Sequence, residues 1–235
     1  KEIIDLESNW IAKDSTLVCA GDLTDRGTRG IEVIELMMKL ETQSESEGGQ
    51  IVSLMGNHDA LILAHAYEQK GEHANLNCQD MFTYNGGLLS ESLRLSQDEE
   101  MFEWMKNRPL MFIKDRVLFQ HADTCFYYMH MGNTIEEINE NCIKQTQSGP
   151  GAWSIFYEMC DCRYFDQASF SSEEKHVEHI NAYMKHFDVD LICHGHTRHT
   201  LNHELAYFDS KIINLDGSMS VGYRRDLDRG FVLEL

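Results

Sequence analysis

The residues of this chain with the greatest capacity for chemistry stand at the ends of short apolar runs. They comprise a carboxylate, a side-chain amide and two imidazoles, namely Asp22, Asn57, His121 and His196. Oxygen donors combined with imidazole nitrogens suit manganese, iron or zinc better than calcium. Each residue alone also fits an ordinary role, as a turn residue, a helix cap, a hydrogen-bonded core histidine and a loop residue. Together they predict a metal-binding site.

The apolar runs before these residues predict buried strands that present polar side chains at their carboxyl ends. The runs are Thr16 to Ala20, Ile51 to Met55, Val117 to Gln120 and Val189 to Cys193. Two later strands are predicted at Lys211 to Leu215 and at Phe231 to Leu235, which favours a mixed or two-sheet architecture over a purely parallel one. The alternation of strand, motif and helix predicts an α/β fold.

Helical periodicity follows the first two runs. Apolar residues recur at helical spacing from Ile31 to Met38, and this helix is predicted to end before a polar loop from Glu41 to Gln50. Ala60 to Tyr67 predicts a second helix, and residues 70–110 are mostly helical with a break at Asn85-Gly86-Gly87.

Residues 130–186 predict a helical cap or insert within a single domain that covers residues 1–235. The insert ends in a helix from Ser171 to His186. Its histidines, His176, His179 and His186, stand among glutamates and a lysine and are expected on a solvated face. Substrate selectivity is expected to lie in this insert.

Charge limits the classes of partner. The 235 residues carry a formal net charge of -19. Binding to nucleic acid or to anionic membranes requires positive charge from Lys and Arg, so such an acidic surface repels both. Neither is expected as a partner. A phosphorylated substrate would also be repelled unless metal ions and a few arginines reverse the potential locally.

The seven cysteines are scattered without the spacing of a disulfide scaffold or a zinc ribbon, which favours a reducing, cytoplasmic location. Cys160 and Cys162, the closest pair, are expected to be structural rather than a redox or metal site. No run of eighteen apolar residues predicts a membrane span.

Longer strings surround the candidate ligands, in a fixed order. Gly21-Asp22-Leu23-Thr24-Asp25-Arg26-Gly27 is followed by Gly56-Asn57-His58-Asp59, then by His121 and by Gly195-His196-Thr197. This series resembles the second to fifth signature motifs of calcineurin-like metallophosphoesterases, in the phosphoprotein-phosphatase branch. Within that branch the chain looks similar to bacterial-type and Shewanella-like protein phosphatases and to dinucleoside tetraphosphatases. The fold implied is two mixed β-sheets that form a sandwich flanked by helices.

The resemblance implies a site for two divalent ions (Mn, Fe or Zn) with a metal-bridging hydroxide as nucleophile. Asp22 would bridge the ions, while Asn57, His121 and His196 complete the shell of the second metal. His58 would be the general acid, held by Asp25. Arg26 would grip the phosphate through paired hydrogen bonds, beside Asn57.

Two assignments stay open at this stage. A second phosphate-binding arginine is usual in the family, and Arg163 is the candidate, with Arg108 as the competitor. His194 stands two residues before His196, so an extended segment would place both rings on one face. In other branches such a pair ligates both metals, whereas here His194 is expected only to support the site.

The first family motif, Asp-x-His, supplies two ligands to the first metal and occurs nowhere in these residues. We expect that the first strand and this motif lie upstream of Lys1, and that Lys1 to Ile11 are the remainder of the following helix. This sequence alone should then hold the second metal at most and turn over little substrate. The other interpretation is a degenerate homologue that binds one metal or none.

Three functions remain after these arguments. The leading one is a phosphomonoesterase, with phosphoserine and phosphothreonine proteins as the first substrate and small phosphorylated molecules next. The second is a dinucleoside polyphosphate hydrolase. The third is a catalytically inactive module that binds phosphate or a partner.

Overall fold

Two sheets form the centre of the protein in the computed structural model, which describes residues 2–72, 78–149, 160–163, 172–198, 206–217 and 233–235. The smaller sheet pairs β1 (Thr16–Cys19) with β2 (Gln50–Ser53) in parallel. The larger sheet has five strands, numbered β3 to β7 along the chain: Met111–Lys114, Val117–Gln120, Leu191–His194, Ala206–Tyr207 and Ile212–Asn214. Their order in the sheet is β3-β4-β5-β7-β6. The α/β class with mixed sheets is confirmed.

The strand register brings the predicted motifs together. In the larger sheet β4, β5 and β7 are parallel, with Gln120 opposite His194, while β3 and β6 are antiparallel edge neighbours. Parallel neighbours end at the same edge of a sheet, so the loops that follow β4 and β5 meet. The Gly195 N–H donates to the His121 carbonyl at 2.9 Å. The segments carrying His121 and His196 are therefore fixed side by side.

Helices cover the sheets, and one of them is central. The described helices are α1 (Gly30–Ser46), α2 (Asn57–Gln69), α3 (Cys78–Tyr84), α4 (Leu89–Gln97), α5 (Glu99–Lys106), α6 (Phe126–His130), α7 (Ile135–Ser148) and α8 (Glu173–His186). In α2 every residue from Asn57 to Tyr67 is buried. A helix that is enclosed on all sides is a rigid platform, and α2 begins at the Gly-Asn-His-Asp string.

Helix α1 continues to Ser46, so the predicted loop from Glu41 to Gln50 is wrong over its first half. The polar composition of this segment misled the prediction, because Leu40 and Ser44 still face the core. Glu41 also has partners, since its carboxylate accepts hydrogen bonds from the Trp104 indole and from Arg108. The helix ends at Ser46, and two residues later Gly48 (φ +79°) adopts a left-handed conformation that lets the chain turn back, as is common after helix C-termini.

The N-terminal segment departs from the expected helix remainder. Residues 2–15 form turns, with an antiparallel bridge between Ile4 and Trp10. The Asp5 carboxylate accepts from the backbone N–H groups of Glu7 and Asn9 at 2.9 and 2.8 Å. Aspartate that bonds to the backbone just ahead of it stabilises a turn in place of a helix.

The predicted insert is described only in part. Helix α8 confirms the predicted helix, but its histidine face is not simply solvated. His179 Nε2 lies 3.0 Å from Cys125 Sγ, His186 Nε2 lies 2.7 Å from the Asn133 carbonyl, and His176 packs edge-on against Phe208. The predicted strand from Phe231 begins outside the described residues, and residues 233–235 are not in a strand. That the chain forms one domain with an insert stays a prediction.

Among the described residues, none of the helices combines the length and the apolar character that a membrane span requires.

Candidate metal centre

The four candidate ligands converge on one point. Asn57 Oδ1 lies 3.0 Å from both His121 Nε2 and His196 Nδ1, and Asp22 Oδ1 lies 3.4 Å from His121 Nε2. Ligand atoms of Asp22, His121 and His196 all lie within 4.8 Å of one another. A metal with bonds of about 2.1 Å at right angles separates neighbouring ligand atoms by about 3 Å. The spacing therefore fits one divalent ion.

The tautomer of His121 explains why a cation suits this point. Its Nδ1 lies 2.6 Å from the Ala20 carbonyl, which can only accept a hydrogen bond. In the neutral ring Nδ1 then carries the proton, and the lone pair of Nε2 points at the oxygens of Asn57 and Asp22. Electron-rich atoms that face one another inside a protein need a cation between them. The residues present thus fit the metal that their types predict.

Strained backbone dihedrals set the direction of several side chains in the site. Four site residues have left-handed dihedrals, which are rare outside glycine: Asp22, Asp25, Arg26 and His196, with φ of 56°, 72°, 53° and 63°. Such strain is found at functional sites and persists only where the surrounding structure enforces it. At His196 it ends the extended conformation of β5, so strand alternation no longer governs where that ring points.

Two glycines allow the two motif loops to approach each other. A Cβ at Gly56 would collide with the Asp22 carboxylate and with the His121 ring, whose Cε1 would lie 2.9 Å away. A Cβ at Gly21, where φ is +90°, would lie 2.7 Å from His121 Nδ1. Only glycine at both positions permits this close contact.

Asp59 ties the two loops to each other. Its buried carboxylate accepts three backbone hydrogen bonds at 2.9 Å, from Asp22, Leu23 and Gly56. Burial and the neighbouring Asp22 carboxylate raise the pKa of Asp59 to about 7, although the three N–H groups act in the opposite direction. No separate role was predicted for Asp59, whose hydrogen bonds connect the Asp22 and Asn57 loops.

His58 and Asp25 form a buried pair beside the ligands. His58 Nδ1 lies 2.7 Å from Asp25 Oδ2, and the two residues are 2% and 9% exposed. Burial disfavours the charged ring, but the hydrogen bond to Asp25 outweighs burial and raises the pKa of His58 above its ordinary value. The His58 backbone N–H also donates to Asp22 Oδ1 at 3.0 Å. An imidazole whose protonated form is favoured by Asp25 is thus fixed next to the candidate metal.

Charge in the centre is balanced by the imidazoles. Burial would raise the pKa of Asp22, but His121, His58 and His196 outweigh it and hold the pKa below its usual value. Burial lowers the pKa of His196, which favours the neutral ring that a metal requires. Asp22 is therefore an anion and His196 a neutral donor near pH 7.

The three arginines considered for phosphate binding have different surroundings in the structure. The Arg26 backbone N–H donates to the Gly86 carbonyl at 3.1 Å, so the Asn85-Gly86-Gly87 turn supports the loop that carries Arg26. Arg163 Nη1 lies 3.7 Å from Asp161 Oδ1, and Asp161 in turn contacts His196. Arg108 instead pairs with Glu41 at 2.8 Å and stacks on Trp104 at 3.6 Å. This arrangement favours Arg163 over Arg108 for phosphate.

Alanine substitution should separate these two arginines. Arg163→Ala is expected to raise KM for a phosphate monoester about 10- to 100-fold, because one charge-assisted hydrogen bond contributes about 1.5–3 kcal/mol. Arg108→Ala should leave KM unchanged and lower the melting temperature, because it removes a buried ion pair and an aromatic contact. Steady-state kinetics and thermal unfolding of both variants measure this. A KM effect confined to Arg108→Ala would reverse the assignment.

The structure places His194 away from the candidate ligands and Asp161 next to one of them. His194 Nε2 lies 2.5 Å from the Tyr207 hydroxyl and Nδ1 lies 2.8 Å from the Gly195 carbonyl, so its ring is committed to these partners and away from the ligands. Asp161 was not singled out from sequence, yet its Oδ1 lies 3.3 Å from His196 Nε2. No spacing or string marks Asp161, and only the folded chain brings it to the site.

A comparison with known families agrees with this geometry. A family model described as calcineurin-like phosphoesterase matches residues 3–199. The chain belongs to this family, as its motifs predict.

Individual relatives lie within the predicted branch. Shewanella-like protein phosphatase 1 of Plasmodium berghei is 21% identical over 94% of this chain and 61% of its own length. The symmetrical bis(5'-nucleosyl)-tetraphosphatase of a Janthinobacterium species is 26% identical over 48% of this chain and 34% of its own length. A crystal structure of a cold-active protein tyrosine phosphatase from a psychrophilic Shewanella species superposes with a TM-score of 0.70 at 23% identity, over 94% of this chain and 65% of that one. The chain thus spans less than two thirds of each, and the structural likeness establishes the fold.

Proposed function

We propose that this chain carries the metal centre of a phosphomonoesterase that acts on phosphoserine and phosphothreonine in proteins. The observation that carries the proposal is the Asn57 oxygen at 3.0 Å from two imidazole nitrogens, with the His58–Asp25 pair directly beside it. Relatives named protein phosphatases support a phosphorylated protein as the substrate.

The chemistry follows from the positions of these side chains. Asp22, Asn57, His121 and His196 would hold a divalent ion, which supplies Lewis acidity and an activated water when bound. Arg26 and Arg163 would hold the phosphoryl oxygens through charge-assisted hydrogen bonds. His58 would donate its Nε2 proton to the leaving alkoxide, while Asp25 keeps the ring protonated and oriented.

Dinucleoside polyphosphate hydrolysis is the second candidate. It is favoured by one specific observation, the similarity of nearly half of this chain to a symmetrical tetraphosphatase. Such a substrate is cleaved at a phosphoanhydride bond, whose leaving phosphate needs less help from a general acid than an alkoxide does. The two functions therefore make different demands on His58.

The product of the complete gene, supplied with Mn²⁺, should be assayed on a phosphothreonine peptide, a phosphotyrosine peptide and diadenosine tetraphosphate. The expected result is a kcat/KM at least tenfold higher for the phosphothreonine peptide than for the dinucleotide. The opposite ranking would favour the second candidate. Metal binding without hydrolysis of any of these would favour the inactive module.

Location and metal identity complete the proposal. We infer a reducing, cytoplasmic compartment, which the seven cysteines support because none of them forms a disulfide in the described part of the chain. Manganese, iron and zinc all suit the donors, and two ions per active site are expected if an Asp-x-His motif is supplied. Cys160 is fully buried, in agreement with a structural role.

A further inference from the structure

His196 has a polar side chain next to each of its two ring nitrogens. Its Nδ1 lies 3.0 Å from Asn57 Oδ1, on the side of the candidate metal. Its Nε2, on the far side of the ring, is buried and has no hydrogen-bond partner of good geometry in the described part of the chain. The nearest anionic group to this nitrogen is the Asp161 carboxylate, with Oδ1 at 3.3 Å. A small adjustment of either side chain would complete a hydrogen bond.

The ring nitrogen that faces away from the metal is called the outer nitrogen, and the one that faces the metal the inner nitrogen. A carboxylate that accepts a hydrogen bond from the outer nitrogen determines that the inner nitrogen carries no proton. When Nε2–H donates to an acceptor, Nδ1 is left with its lone pair, which is the form that binds a metal. His121 has the same arrangement with a different acceptor, because the Ala20 carbonyl holds its outer nitrogen at 2.6 Å. Asp161 would do for His196 what a backbone carbonyl does for His121.

The segment that carries Asp161 is fixed next to the His196 loop. Arg163 forms a parallel bridge with Asp123, and Asp123 Oδ1 accepts a hydrogen bond from the Thr197 hydroxyl at 3.2 Å. Cys160 is fully buried on the other side of Asp161. The backbone on both sides of Asp161 is thereby attached to the core beside the ligand.

A simple ion pair with Arg163 explains Asp161 less well. The Nη1 to Oδ1 separation is 3.7 Å and both side chains are more than a third exposed, at 36% and 44%. Exposed pairs of this kind contribute little. His196, by contrast, has a side chain that is 3% exposed, so its contact with Asp161 is shielded from water on the histidine side.

We propose that Asp161 is a positioning residue that accepts the Nε2–H of His196 and so directs Nδ1 towards the metal. The proposal rests on the metal centre of the proposed function and adds a residue outside the recognised motifs. It predicts that metal affinity depends on a hydrogen-bond acceptor at position 161 more than on a negative charge there.

The test is a titration of metal-free protein with Mn²⁺ by calorimetry. Asp161→Ala should weaken binding about 10- to 100-fold, the usual effect of removing a group that orients a metal-ligating histidine. Asp161→Asn keeps an acceptor oxygen without charge and should lose clearly less. Glu45→Ala, which removes an exposed carboxylate from α1, is the matched control and should bind as the wild type does. Metal-free melting temperatures should be the same for all four proteins.

A spectroscopic readout separates orientation from general damage. In Zn²⁺-loaded wild type, ¹⁵N-edited NMR should show a slowly exchanging Nε2–H on His196, and this signal should exchange rapidly in Asp161→Ala. Wild-type affinity in the alanine variant overturns the proposal, and so do equal losses in the alanine and asparagine variants. Wild type that binds no metal would refute the metal centre itself, whereas metal binding without hydrolysis would refute only the proposed function.

Discussion

His58→Asn is expected to lower kcat for an alkyl phosphate monoester about 10²- to 10⁴-fold, the range in which positioned general acids contribute. The asparagine has no proton to transfer at neutral pH, so the alkoxide must leave without one. Mn²⁺ affinity should stay near the wild-type value, because the link from residue 58 to Asp22 is made by the backbone N–H. Steady-state kinetics and calorimetry on the same preparation measure both quantities.

Leaving-group dependence makes this prediction specific to proton donation. p-Nitrophenolate leaves readily without a proton, so the variant should lose far less activity on p-nitrophenyl phosphate than on the alkyl ester. Asp25→Asn should show the same pattern with smaller losses, since Asp25 acts through the ring of His58. His130→Asn, a change at an exposed histidine of α6, is the control. Equal losses on both substrates would show that His58 has a structural role instead.

The convergence of the candidate ligands could be predicted because the sequence signal for it is local. Asp22, Asn57 and His121 each follow an apolar run that became a strand, and parallel strands end at a common edge. The structure places all three within one small volume. Strand position and residue type were enough to predict which side chains meet.

How the side chains are aimed could not be predicted in this way. Alternation would place His194 and His196 on one face if β5 continued, but β5 ends at His194 and His196 has a left-handed dihedral, so His196 contacts Asn57 while His194 contacts Tyr207. A non-glycine residue with positive φ has no reliable sequence signal. It is enforced by tertiary contacts, here the bonds between neighbouring loops.

Long-range polar partners were also beyond the sequence. Glu41 was assigned to a loop because its neighbours are polar, yet its carboxylate accepts hydrogen bonds from Trp104 of α5 and from Arg108 just after α5. Because Arg108 is paired with Glu41, it is a weaker candidate for binding phosphate than Arg163. Asp161 and His196 are separated by 34 intervening positions, and no motif links the two, so only the folded structure reveals the contact.

Asp59→Asn is the second change with a large expected effect. The asparagine has one acceptor oxygen in place of two, so its NH₂ group would face at least one of the three buried N–H donors. A buried donor without a partner costs about 1–3 kcal/mol, and the free energy of unfolding should fall by at least that amount. Because the lost bonds connect the Asp22 and Asn57 loops, Mn²⁺ affinity should fall more than tenfold as well. Chemical denaturation and calorimetry measure the two effects.

Two matched changes identify the cause. Asp98→Asn alters an exposed carboxylate that caps α5 through a single bond to the Met101 N–H at 3.0 Å, and asparagine caps helices about as well as aspartate does. It should change neither stability nor metal affinity. Asp59→Glu keeps both oxygens and adds one methylene. If the glutamate variant binds Mn²⁺ more tightly than the asparagine variant, paired acceptor oxygens, not side-chain volume, join the two loops into one metal centre.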